Sequence, residues 1–116
     1  MTSVRQRRVA DQIRSELSDL LLRDVRDPRL SFVTITDVSI DRELAYAQVY
    51  VNALGEEDRQ DEVMEALDRA RGYLRSQIAS RIRLRRTPDL RFYWDPSLQH
   101  GERISELLDS LHQEEE

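Results

Sequence analysis

The chain has 116 residues, no cysteine and a formal net charge of -5. That length predicts one domain able to bury a core unaided, and the lack of cysteine excludes disulfides and thiolate metal sites, as suits a reducing cytoplasm. The opening MTSVRQRRVADQIR lacks the apolar stretch of a signal, and nowhere do about 20 apolar residues run together as a membrane span requires.

From Ser3 to about Arg23 the pattern is helical, with Val9, Ile13, Leu17, Leu20 and Leu21 at three- and four-residue steps. Thr2 or Ser3 can cap its start by accepting a backbone N–H bond. Asp27-Pro28-Arg29 breaks the run, because proline disfavours the helical conformation in the residue before it. Residues 31–40 (SFVTITDVSI) are rich in β-branched side chains and read as a strand, and 44–53 (LAYAQVYVNA) as a second one. Tyr46, Gln48 and Tyr50 share one parity of that second strand, and Ala45, Ala47, Val49 and Val51 the other. The short polar link Asp41-Arg42-Glu43 predicts an antiparallel hairpin.

Residues 58–86 read as helical, with an apolar stripe of Val63, Leu67, Ala70, Leu74, Ile78 and Ile82. As one straight rod they would span about 43 Å at 1.5 Å per residue, against a domain diameter of roughly 35 Å. Gly72 is the natural break, because glycine weakens a helix interior. Two helices meeting near Ala70-Arg71-Gly72 are therefore expected. Pro88 ends that region. Residues 89–94 (DLRFYW) predict a third strand with Leu90, Phe92 and Trp94 on one side. Residues 97–112 predict a last amphipathic helix, with Ile104, Leu107, Leu108 and Leu111 facing inward. Residues 1–112 would then form one domain, and 113–116 a frayed acidic end. The economical architecture is α+β: a three-stranded sheet with its helices on one face.

The negative average conceals a segregated charge. Residues 41–68 hold nine acids and two Arg, whereas 69–91 hold eight Arg and one acid. Every one of the 18 basic residues is Arg, whose planar guanidinium pairs bidentately with phosphate and stacks on bases. Genome composition or a salt-adapted host would also account for that bias. Arg71 and Arg75 share a helix face, as do Arg81 and Arg85, with Arg83 and Arg86 beside them. If 81–85 (RIRLR) is extended instead, Arg81, Arg83 and Arg85 line one edge. Like charges this dense repel one another, and a phosphate backbone would relieve them. The alternative is internal: the acidic stretch 56–62 or the acidic tail could fold over the Arg face.

Signatures of catalysis are missing. The three glycines lie far apart, no Gly-x-Ser-x-Gly elbow exists, and His100 and His112 are the only histidines. No His/Asp/Glu group has metal-ligand spacing, and no cofactor is implied.

Several stretches together resemble the bacterial ribosome-binding factor A family. They begin with Arg8-Val9-Ala10, Gln12-Ile13 and Asp27-Pro28-Arg29-Leu30. Val33-Thr34-Ile35-Thr36-Asp37-Val38, Leu44-Ala45-Tyr46-Ala47 and Val49-Tyr50-Val51 follow. Next come Ala70-Arg71-Gly72-Tyr73-Leu74-Arg75, Arg83-Leu84-Arg85 and Pro88-Asp89-Leu90-Arg91-Phe92. Asp95-Pro96-Ser97-Leu98 and Gly101-Glu102-Arg103-Ile104 close the series, so the likeness covers roughly residues 5–110. Each piece is weak alone, but their order and spacing are specific. The resemblance implies a single type II KH-like domain, order α-β-β-α-(kink)-α-β-α, in which an Ala-x-Gly kink at Ala70 and Gly72 replaces the Gly-x-x-Gly clamp. It implies binding to the free 30S ribosomal subunit and maturation of 16S rRNA, including its 5′ end, in support of growth in the cold. The candidate RNA-binding side chains are Arg5, Arg7, Arg8, Arg42, Arg71, Arg75, Arg81, Arg83, Arg85 and Arg86. The expected protein is a cytoplasmic monomer, not an enzyme, with neither membrane nor small-molecule partners. The competing readings are a generic single-strand RNA-binding module and a small nuclease. The missing Gly-x-x-Gly clamp and the lack of aromatic stacking candidates beyond Tyr46, Tyr50 and Tyr73 disfavour the first, and the absence of a metal cluster or histidine pair the second.

Overall fold

A computed structural model describes residues 3–53 and 55–96. The first helix, Val4–Arg23 (α1), starts at a reciprocal cap: Gln6 N–H donates to Ser3 Oγ at 3.1 Å, and Ser3 N–H donates to Gln6 Oε1 at 3.0 Å. Its buried residues are Val9, Ala10, Ile13, Leu17, Leu20 and Leu21, the periodic set of the sequence plus Ala10. Past its end, Asp27 and Pro28 start a single 3-10 turn, Pro28–Leu30. The Asp27 carboxylate grips Arg29 through its backbone N–H at 3.0 Å and its guanidinium at 2.7 Å. The turn drops Leu30 into the core at 2% exposure.

Thr34–Ile40 (β1) and Tyr46–Asn52 (β2) pair antiparallel, in a register that sets Ile40 against Ala47 and Val38 against Val49. β1 begins later than the sequence predicts, and β2 is shorter at both ends. Ser31 and Phe32 belong to the turn after Leu30. Leu44 sits at φ 57 in the hairpin turn, held by the Asp41 carboxylate, which accepts from the N–H groups of Ala45 (2.7 Å) and Tyr46 (2.8 Å). One extra residue bulges β1 between Ile35 and Asp37. Gln6 Nε2 donates to Ile40 O at 3.0 Å, fixing the start of α1 beside the hairpin turn.

Gln60–Arg81 (α2) is one uninterrupted helix of 22 residues, and this corrects the expected pair of helices. The premise of the break was a helix that reached Arg86. Instead Ile82 adopts extended angles (φ -121, ψ 126) and ends the helix, leaving a rod of about 33 Å that fits the domain. Gly72 lies within it, has no positive φ, and a Cβ built there would meet nothing within 4 Å. Val63, Ala66, Leu67, Leu74 and Ile78 are its buried face.

Asp89–Trp94 (β3) runs parallel to β2, with Tyr46 opposite Asp89, Gln48 opposite Arg91 and Tyr50 opposite Tyr93. The sheet order is β1-β2-β3. Both helices pack on the face that carries Ile35, Val38, Val49, Val51 and Leu90. Tyr46, Gln48, Tyr50, Arg91 and Tyr93 take the opposite parity. The helix expected over 97–112 and the acidic end 113–116 lie outside the described residues.

Two outcomes follow from these placements. Gly72→Ala should raise stability by several tenths to about 1 kcal/mol, because Ala is the better helix former and has room; a lower melting temperature would show that Gly72 is needed for the backbone. The Tyr46 N–H bond, and then that of Ala45, holds the Asp41 carboxyl below its usual 3.8. A depressed value contributes stability above pH 3.8 that is lost as pH falls through the folded value. Asp41→Asn should therefore lower stability at pH 7 and flatten its decline in acid, as read by urea titrations from pH 7 to pH 3.

Candidate nucleic-acid interface

The arginines of 69–91 divide into two populations, and geometry separates them. Arg81 is committed inside the fold. Its Nη1 lies 3.0 Å from both Glu16 and Asp19, and its Nη2 lies 2.8 Å from Asp24, all on α1 or at its C-cap. The side chain is 27% exposed. The hydrogen bonds to Glu16 and then Asp19 raise its pKa above the ordinary arginine value. Arg69 pairs with Glu65 at 2.6 Å and Arg71 with Asp68 at 3.4 Å, both exposed pairs along one helix. Arg59 takes Glu56 and Glu62. Among the described residues internal pairing thus does occur, from α1 and from neighbouring turns, and the acidic tail lies outside them.

Arg83, Arg85 and Arg86 behave differently. They sit on the connection between α2 and β3, anchored by buried Ile82 and half-buried Leu84, and all three are exposed. Among the described residues none of the three has a carboxylate partner. Arg81 belongs to α2, so the edge of Arg81, Arg83 and Arg85 expected of an extended 81–85 does not form.

Beside this stretch α2 and the sheet enclose a cleft of about 480 Å³, lined by Tyr46, Arg71, Gly72, Arg75, Asp89, Leu90 and Arg91. Helical spacing puts Arg71 and Arg75 on one wall. The parallel register of β2 and β3 puts Tyr46, Asp89 and Arg91 on the other. Arg75 bridges the walls: its Nε is 3.0 Å from Asp89, and its Nη2 donates to Thr87 O at 2.8 Å. The Arg91 guanidinium lies over the Tyr46 ring, 3.7 Å from the centroid. That contact keeps both groups exposed while stacking them. A second concavity of about 310 Å³ shares Arg71 and Arg91 and continues along β3 to Met64 and Tyr93. Three guanidinium groups therefore face a groove whose floor includes the bare backbone of Gly72. Such a surface can hold a phosphate chain and stack a base.

The other candidates are dispersed. Arg5, Arg7 and Arg8 are exposed in the first turns of α1, and Arg42 is exposed in the hairpin turn. The Gln6–Ile40 bond puts these two groups at the same end of the sheet. None of the four lines the cleft. Ala70 is half-buried against the core and is not a wall residue. Arg91 and Tyr93 escaped the candidate set. Their alternation with Asp89 marks them as outward residues of a strand, but only the pairing of β3 with β2 reveals their neighbours. Among the described residues no group of His, Cys, Asp or Glu could hold a metal, and no helix is long and apolar enough to cross a membrane.

A family model for ribosome-binding factor A matches residues 5–108. The chain belongs to the ribosome-binding factor A family. A curated ribosome-binding factor A from Chromohalobacter salexigens is 51% identical over 104 residues, covering 88% of this chain and 79% of that protein. A Thermotoga maritima protein described as a putative ribosome-binding factor A, solved by NMR, has a TM-score of 0.68 and 38% identity, over 78% of this chain and 86% of that one. A homology model of the Thermus thermophilus ribosome-binding factor A, as fitted into the cryo-EM map of its 30S complex, has a TM-score of 0.58 and 28% identity, over 79% of this chain and 92% of that one. For this member of the ribosome-binding factor A family, the α+β architecture with a three-stranded sheet is thus shared with known relatives.

The two arginine populations should respond oppositely to substitution. Arg81→Gln leaves three carboxylates without their shared cation and should lower the melting temperature, and the gap to wild type should narrow in high salt, which screens such pairs. Arg85→Ala should change stability by no more than about 0.5 kcal/mol, as for an exposed side chain with no partner. Equal thermal melts for Arg81→Gln and wild type would show that the α1 carboxylates do not need Arg81.

Proposed function

We propose that this chain is a non-catalytic ribosome assembly factor that binds the free 30S subunit by gripping its 16S rRNA. The observation that carries the reading is the Gly72 cleft, where Arg71, Arg75, Arg91 and Tyr46 converge. The exposed arginines at 83, 85 and 86 extend it. Family membership supplies the target, since a Thermus thermophilus relative has been fitted into the map of a 30S complex.

The mechanism we infer is selective binding. RNA helices formed in the wrong register escape slowly, and more slowly in the cold. A protein that holds one arrangement of the backbone biases which structure persists, without making or breaking a bond. Maturation of the 16S 5′ end then proceeds on correctly folded RNA. The missing Gly-x-x-Gly clamp suits this role, because a preformed backbone shape needs no four-nucleotide grip. Gly72 serves as the close-approach point: without a Cβ, the helix backbone can be reached by phosphate. Arg81 is left out of this interface by its three carboxylates. The protein works in the cytoplasm as a monomer.

Sedimentation of lysate with added protein tests this directly. The protein should travel with free small subunits and not with translating ribosomes. Arg71→Ala and Arg85→Ala should each weaken subunit binding and reduce the slope of log affinity against log salt by about 0.7–0.9 for each phosphate no longer gripped. Gly72→Ala should weaken binding while raising stability. Unchanged affinity and slope in both arginine variants would overturn the reading.

A further inference from the structure

The face of the sheet turned away from the helices carries a row of aromatic groups, of which the cleft uses only Tyr46. Tyr46 and Tyr93 are 38% and 40% exposed. Tyr50 and Tyr93 lie directly opposite across β2 and β3, their ring centroids 5.6 Å apart at a tilt of 31°. Between these tyrosines and Tyr46 sits Gln48. Its Oε1 accepts from Ser39 Oγ at 3.1 Å and from Tyr50 OH at 3.4 Å. That fixes the amide, and its N–H donors have no partner among the described residues.

We propose that this face is a stacking platform for a short unpaired stretch of RNA, with Tyr50 and Tyr93 receiving bases and Gln48 offering its amide N–H to a base acceptor. The proposal rests on the RNA-binding reading above and extends it to a second, single-stranded contact. Continuity with the cleft is what selects RNA as the occupant. Arg91 and Tyr46 belong to both surfaces: they line the cleft, and they stand on the open face in the rows of Gln48 and of Asp89. A strand whose phosphates lie along Arg71 and Arg91 has its next bases over β3, and the second concavity leads from Arg91 to Tyr93. Two residues of strand advance about 6.6 Å, so Tyr46 and Tyr50 are spaced about 13 Å apart along β2, room for bases in succession.

The chemistry of the face agrees. It offers rings, an amide and hydroxyls but no aliphatic side chain at positions 46, 48 and 50 of β2 or 89, 91 and 93 of β3. A protein partner's apolar core would find little to bury. Bases need a π-face and a hydrogen-bond donor, and stacking is tolerant of sequence. Of the acids along this path, Asp89 is already paired with Arg75 and Asp68 with Arg71, while Asp37 stands beside Tyr50 on the side away from β3.

The test compares a short unpaired RNA with the same strand annealed to its complement, using the full chain. Tyr50→Ala and Tyr93→Ala should each lower affinity for the unpaired strand by about fivefold to a hundredfold. Affinity for the duplex and the salt slope should stay as in wild type, since every phosphate-binding arginine remains. Tyr50→Phe and Tyr93→Phe should keep the affinity, because the ring remains. With 4-thiouridine in the unpaired strand, light should crosslink wild-type protein at the peptides of Tyr50 or Tyr93, which decides the matter even if the alanine variants fold poorly. Wild-type affinity in well-folded alanine variants, or crosslinks confined to the cleft and the arginine stretch, would overturn the platform. The platform can fall alone: it does so if the tyrosine variants bind unpaired RNA normally while Arg71→Ala still weakens subunit binding. The broader reading falls on the arginine variants instead.

Discussion

Parallel pairing of β3 with β2 is the constraint from which the rest of the molecule follows. Two parallel neighbours cannot be joined by a tight turn, so the chain must cross the sheet between Asn52 and Asp89. The crossing element is α2, and its buried residues, Val63 to Ile78, press on the face that carries Val49, Val51 and Leu90. Once that face is fixed, Arg71, Gly72 and Arg75 stand beside the start of β3, and the parallel register sets Tyr46 against Asp89. The cleft is the geometric remainder of a crossover helix that ends close to the strand it feeds.

Where the helix ends decides which arginines are free. Arg81 closes α2 over Glu16, Asp19 and Asp24 on and just past α1, and Ile82 then turns extended. Such a partly exposed network is modest in energy, but it is well placed to choose a terminus. One residue later the chain runs Arg83-Leu84-Arg85-Arg86, with Pro88 forbidding a new helix and Leu84 tucked against the core. An arginine in the last helical turn is consumed by structure. Its neighbours two to five residues on are presented to solvent by the same event.

Local pattern made most elements legible. The periodicity of Val9 to Leu21, the parity of Tyr46, Gln48 and Tyr50, and the alternation of 89–94 each report a face, and each face is where the periodicity puts it. What failed was the reading of 82–86 as helical, since arginine and leucine are good helix formers and nothing local marks Arg81 as the last residue. The wrong length then demanded a break at Gly72 that the true length does not. The partners of Arg81 lie 57 to 65 residues away in sequence, beyond any periodic signal. Tyr46 was legible as exposed and Arg91 as basic. That one lies over the other depended on strand order, which a single sequence does not carry.

Segregation of charge along α2 adds a final step. Asp61 and Glu62 stand in its first turn and Arg81 in its last, each sign complementing the helix dipole there. The acids of 56–68 therefore stabilise the helix start, and the arginines gather toward its end and on the stretch that follows. A chain with a net charge of -5 is repelled by a polyanion at long range. Within a Debye length, about 8 Å in cellular salt, only the nearest charges count. In the function proposed above, the basic end of α2 would meet phosphate there and the acidic start would be held away. On the proposed function, the acids of the helix start would lower non-specific attraction to RNA from outside the cleft, and binding would need the cleft and the Arg83–Arg86 stretch to be engaged together.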